Sequence, residues 1–80
     1  MESNAIRLLI QEKLADGLLP HNHIPRVWGG LGAGEMCDGC DEVITTAQLM
    51  MEGSGEDHWA IRVHVECFYL WDSVREASVR

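Results

Sequence analysis

Three cysteines and one histidine stand where they could share a metal ion: Cys37-x2-Cys40, then 23 intervening residues, then His64-x2-Cys67. Three thiolates and an imidazole complete a tetrahedral zinc set, and four protein ligands leave no coordination position for water or substrate. The expected cofactor is therefore one Zn2+ ion in a structural role, held by Cys37, Cys40, His64 and Cys67. The competing reading is three buried free thiols beside an ordinary strand histidine. Four ligand types at matched spacing weigh against it.

The odd cysteine count forbids complete internal pairing. Residues 1–20 interleave Arg7, Gln11, Glu12, Lys13 and Asp16 with the leucines, which is unlike the apolar centre of a signal peptide. The expectation is a cytoplasmic chain with reduced thiols, where Cys-x-x-Cys is a metal or catalytic site rather than a structural disulfide.

Other motifs fit less well. His64-Val65-Glu66 matches the His-x-Glu of zinc deaminases, but here it follows the cysteine pair, and Cys67 fills the place of the catalytic water. His21-Asn22-His23 spells a nuclease motif without its basic surroundings or its ββα frame. Gly30-Leu31-Gly32-Ala33-Gly34 lacks the lysine and the flanking elements of a phosphate loop, and its expected role is a close approach to the zinc knuckle. No nucleophile–base pair stands outside the cluster, so a non-enzymatic protein is expected.

The elements that must position the ligands follow from periodicity. Ile6, Leu9, Ile10 and Leu14 mark one face of a helix over residues 3–16, with Arg7, Gln11, Glu12 and Lys13 on its polar face. Ser3 or Asn4 can cap its start, Gly17 suits a left-handed end, and Pro20 bars a restart. Residues 21–35, rich in glycine, read as an irregular connector anchored on the zinc core by Trp28. The β-branched run from Val43 predicts a strand to Met51, and Trp59, Ile61 and Val63 predict a second, joined through the polar turn Gly53–Asp57. Phe68, Trp71 and Val74 recur at helical spacing from Val65 onward, with Glu66 early and Arg75 and Arg80 late, as the helix dipole favours. Met50 and Met51 are expected in the core.

The fold class is thus a small α+β zinc domain: N-terminal helix, Gly-rich connector, knuckle, β-hairpin and C-terminal helix. A knuckle, a hairpin and a helix that brings the last ligands make residues 35–78 resemble treble-clef zinc domains. One domain is expected over 1–80, divided into the helix of 1–20, the connector of 21–35 and the zinc-binding core of 36–80. Stripping the metal is expected to unfold residues 35–78, because a chain of this length buries only about 60% of its unfolded surface and needs a staple.

Gly17-Leu18-Leu19-Pro20, Trp28-Gly29-Gly30-x-Gly32-x-Gly34, Cys37-x2-Cys40, Ile44 and His64-Val65-x-Cys67-Phe68-x-x-Trp71 together resemble a family of small uncharacterised bacterial zinc-binding proteins. The resemblance implies that the same four residues are the metal ligands, followed by an aromatic helix that ends near Arg75. Asp41 stands where that family often has glycine, and aspartate tolerates the left-handed conformation better than most residues. The resemblance implies no activity.

Thirteen acidic residues against six basic give a net charge of −7, which disfavours nucleic acid and anionic membranes as partners. No run of about 18 apolar residues could cross a bilayer. The expected role is a regulatory or adaptor module that binds another protein, with the N-terminal helix as a docking face for a partner or a second copy. Direct DNA contact is a weaker alternative, since Arg75 and Arg80 face Glu66, Asp72 and Glu76 on the last helix. A redox or zinc sensor is the other, because three thiolates around a dication leave a net charge of about −1 and a nucleophilic sulfur.

Overall fold

A computed structural model describes residues 3–21, 24, 26–54 and 60–78. The expected roles of His23, Trp59 and Arg80, and most of the Gly53–Asp57 turn, lie outside the described residues. The elements run α1 (Ser3–Ala15), β1 (Arg26–Leu31), β2 (Glu35–Met36), β3 (Val43–Ile44), β4 (Leu49–Ser54), β5 (Ala60–His64) and α2 (Val65–Ser78). The result is a small α+β assembly of two helices and two antiparallel sheets. No helix among the described residues is long and apolar enough to cross a membrane.

Helix α1 buries Ile6, Ile10 and Leu14, as their spacing requires. Gly17 adopts φ +75. The Leu18 N–H reaches the Lys13 carbonyl at 2.8 Å and the Gly17 N–H reaches Leu14 at 3.2 Å, which is the Schellman termination. Asn4 already lies within the helix, and the Ser3 side chain is outside the described residues. Lys13 departs from the expected polar face and is only 8% exposed. It follows Ile6 by two helical turns and so shares the buried stripe, whatever its charge.

The connector expected over residues 21–35 is mostly strand. Arg26–Leu31 pairs antiparallel with β4 over six consecutive residues, from Arg26 opposite Ser54 to Leu31 opposite Leu49. Its lack of apolar periodicity has a physical cause: all six residues are exposed, so no buried face imposes alternation. Trp28 is not an anchor on the core and remains 49% exposed. The glycine segment does make one close approach, at Gly32, where a Cβ would lie 2.5 Å from both Ile44 Cγ2 and the Thr45 carbonyl. That contact is with β3 beside the knuckle.

β4 and β5 form the expected antiparallel hairpin, and the three-stranded order is β1-β4-β5. The single strand expected from Val43 to Met51 is instead two. A turn intervenes, in which the Gln48 N–H donates to the Thr45 carbonyl at 3.1 Å. Before it, β2 and β3 form a separate two-stranded ladder with the Cys37–Cys40 turn at its tip. Met50 is buried and Met51 half-buried. Helix α2 packs on α1, β4 and β5. Trp71, 2% exposed, donates its indole N–H to the Pro20 carbonyl at 2.9 Å, fixing the chain beyond α1 against α2. Ile10, Leu19, Ile44, Ile61, Val63 and Trp71 belong to one buried cluster, together with Cys37 and Cys67.

Candidate metal centre

The ligand atoms of Cys37, Cys40, His64 and Cys67 lie within 4.8 Å of one another. Bonds of about 2.3 Å to sulfur and 2.0–2.1 Å to nitrogen in a tetrahedron put neighbouring donors roughly 3.5–3.8 Å apart. His64 Nδ1 is 3.4 Å from Cys40 Sγ and 3.9 Å from Cys67 Sγ. The donor set and its spacing therefore fit a single metal ion.

Each ligand is placed by a local rule. Cys37 and Cys40 flank a turn closed by the Asp41 N–H on the Cys37 carbonyl at 3.0 Å and the Cys37 N–H on the Glu42 carbonyl at 2.8 Å. Gly39 is required by proximity rather than by a left-handed backbone, since a Cβ there would come within 3.0 Å of Cys67 Cβ. Asp41 takes the left-handed role with φ 64. His64 ends β5 and Cys67 occupies the first turn of α2, so the strand-to-helix junction carries both toward the knuckle.

The knuckle is tied to the fold at two points. Asp38 receives the Arg62 N–H on Oδ2 at 2.9 Å and donates its own N–H to the Arg62 carbonyl at 2.8 Å, covering the free edge of β5. From α1, Lys13 Nζ donates to the Asp38 carbonyl at 2.8 Å and pairs with Asp41. Nothing in the sequence pairs residues 13 and 38, and only the two-turn offset from Ile6 hinted that Lys13 points inward.

Gln48 is the other residue that sequence reasoning missed. Its Oε1 accepts from His64 Nε2 at 3.0 Å and from the Thr45 N–H at 2.9 Å. The proton on Nε2 leaves Nδ1 as the lone pair facing the three sulfurs, the usual way a neighbouring acceptor orients a ligating imidazole. Gln48 lies 16 residues from His64 and matches no ligand motif, so no spacing rule would find it.

The sulfurs differ electrostatically. Cys37 Sγ accepts from the N–H groups of Gly39, Cys40 and His64, each at 3.4 Å. A hydrogen bond from the Cys67 thiol, and then these amides, hold the Cys37 thiol down to about 4 despite its burial. Donating to Cys37, together with burial, pushes the Cys67 thiol up. Burial and the Cys37 charge raise that of Cys40. A bound dication would displace the protons that Cys40 and Cys67 retain.

No protein-family model matches the chain, and neither a curated protein nor a solved structure does. The resemblance to bacterial zinc proteins thus gains no support from relatives. The functional reading rests on the cluster and the surfaces around it.

Proposed function

We propose that this chain is a zinc-stabilised, non-enzymatic module of treble-clef type that acts by binding another protein. The observation that carries the reading is the convergence, among the described residues, of four donors, one of them an imidazole oriented by Gln48, at the joint of a hairpin tip and a helix. Four protein donors suit a closed structural site, and three soft thiolates with one imidazole suit zinc. The order of elements, knuckle ladder, hairpin, then helix, supports the treble-clef assignment. Met36 and Val43 are exposed outside this joint and supply apolar surface for a protein partner. Arg75, by contrast, pairs with Asp72 and lies 5.2 Å from the centre of the Trp71 ring, a poor arrangement for contacting DNA phosphates.

Metal analysis of the purified protein tests the first half. About one zinc per chain is expected in the native protein, and its loss in Cys67→Ser. Wild-type protein that folds and carries no metal would remove the reading. Crosslinking at a photoreactive group in place of Val43, in cells, tests the second half. Specific protein adducts support the module, and adducts only with nucleic acid overturn it.

A redox-sensing role is the second reading, favoured by the half-buried position of Cys40 beside two fully buried cysteines. An oxidant would meet that sulfur first. Peroxide-stimulated zinc release within minutes would support it, and retention of zinc in millimolar peroxide would exclude it.

A further inference from the structure

We propose that the free edge of β1 joins two copies of this chain, β1 against β1 in antiparallel, about a two-fold axis through Gly29. The inference goes beyond the metal-module reading and depends on the sheet alone.

The two edges of the three-stranded sheet differ. Asp38 covers the β5 edge through its paired hydrogen bonds with Arg62. β1 is the terminal strand on the other side, with no backbone partner along its outer edge among the described residues. Edge strands that avoid association commonly carry a proline, a charged side chain or a bulge. The one charge of Arg26–Leu31 sits on Arg26, outside the residues 27–31 that would pair, and the six consecutive register partners leave no bulge.

The phase of the ladder determines which groups face outward. The Gly32 N–H donates to the Gln48 carbonyl at 3.0 Å, continuing the β1–β4 register by one residue. Backbone groups alternate along an antiparallel strand, so those of Arg26, Trp28 and Gly30 turn toward β4. Those of Val27, Gly29 and Leu31 turn to the free edge.

A two-fold axis perpendicular to the sheet can pair only residues whose side chains share a face. Centred on Gly29, it sets Gly29 opposite Gly29, and Val27 opposite Leu31 of the second copy. These are the residues with outward N–H and C=O groups, so each pair exchanges both hydrogen bonds. The side chains agree with the same register. Trp28, half exposed, falls opposite Gly30 of the second copy in a non-hydrogen-bonded pair, where side chains come closest. A Cβ on Gly30 would meet nothing within 4 Å, so the ring has open space to cover. On the other face, Leu31 would lie between Leu49 of its own sheet and Val27 of the second copy, with three exposed side chains forming one apolar row.

Charge permits the contact. The chain carries −7 overall, yet residues 17–34 contain no acidic side chain and one arginine. Self-repulsion is therefore weakest along the strand that would pair. One strand offers its hydrogen-bond groups, its apolar pair and its tryptophan–glycine pair in a single self-complementary register, which singles out a second copy over a foreign peptide.

Sedimentation equilibrium on the zinc-loaded full chain tests this, with Gly30→Glu and Trp28→Ala as variants. The wild type is expected to dimerise, each variant to weaken the dimer by about tenfold or more, and both to keep the wild-type far-UV spectrum. Amide exchange at Val27, Gly29 and Leu31 should slow as protein concentration rises, while exchange at Trp28 and Gly30 stays unchanged. Trp28 lies outside the core, so Trp28→Ala remains informative if Gly30→Glu fails to fold. A wild-type protein that stays monomeric up to about 1 mM, a range reaching interactions of only about 4 kcal/mol, overturns the proposal. So does a dimer indifferent to both variants, or a monomer that binds extended foreign peptides at this edge.

Discussion

Gln48 illustrates how much of a metal centre can reside in a residue that is not a ligand. Its single oxygen receives two hydrogen bonds, one from the turn that separates β3 from β4 and one from His64. Replacing it with leucine would leave both donors without an acceptor and free the imidazole to rotate. Gln48→Leu is expected to lower zinc affinity by about 10–100-fold, read by competition with a chromophoric chelator. Gln48→Glu keeps an acceptor in place and should retain most of the affinity. Equal affinity in Gln48→Leu and wild type would show that the imidazole is held by something else.

Lys13 acts at the same scale through the knuckle. Its ammonium is buried along its stem and meets the Asp38 carbonyl and the Asp41 carboxylate. The Asp41 side chain is 63% exposed, so the ion pair itself contributes little. The partly buried bond to the Asp38 carbonyl matters more. Lys13→Met, which keeps the apolar stem, is expected to destabilise the zinc-loaded protein by about 1–2 kcal/mol in urea unfolding. An unchanged urea midpoint would assign Lys13 a packing role alone. At this scale the donors were legible in the sequence because cysteine and histidine at knuckle spacing have few other uses. Lys13 and Gln48 were not, since each acts on residues far along the chain.

The elements differ in how openly the sequence declares them. Both helices were legible, since each buries one stripe, Ile6-Ile10-Leu14 in α1 and Cys67-Trp71-Val74 in α2. β1 was hidden because an exposed edge strand has no buried face to impose a period of two, and its glycines mimic a loop. The break between β3 and β4 was hidden by β-branched threonines at a turn that Gln48 closes. Two glycines that look alike in the sequence should respond differently to alanine. At Gly17 the added methyl meets nothing, and only the left-handed backbone opposes it. Gly17→Ala should cost about 1 kcal/mol. At Gly32 the methyl meets Ile44 and the Thr45 carbonyl at 2.5 Å, so backbone must move. Gly32→Ala should cost about 2–3 kcal/mol. Thermal unfolding of the two variants under saturating zinc decides the order, and a larger loss for Gly17→Ala would contradict the close approach of Gly32 to β3.

For the whole molecule, the consequence concerns how far the loss of metal would spread. From the sequence, stripping the metal is expected to unfold residues 35–78. The structure ties the N-terminal helix to that core as well. Ile6, Ile10 and Leu14 of α1 share a buried cluster with Cys37, Cys67 and Trp71, and Lys13 bonds to the knuckle itself. β1 is held by β4, which in turn is held by β5, whose last residue is His64. Structural zinc contributes apparent free energies of about 10–16 kcal/mol in small finger peptides, comparable to the whole stability of an ordinary domain at about 5–15 kcal/mol. Removing it should therefore take α1 and β1 down together with the knuckle, in one transition. Chelation followed by amide-resolved NMR is expected to collapse the dispersion of residues 4–15 and 26–31 in step with that of 37–67. Adding zinc back should restore both sets with the same midpoint. Survival of the α1 signals after those of the knuckle have collapsed would instead show that the shared cluster and Lys13 couple the two parts too weakly to make them one cooperative unit.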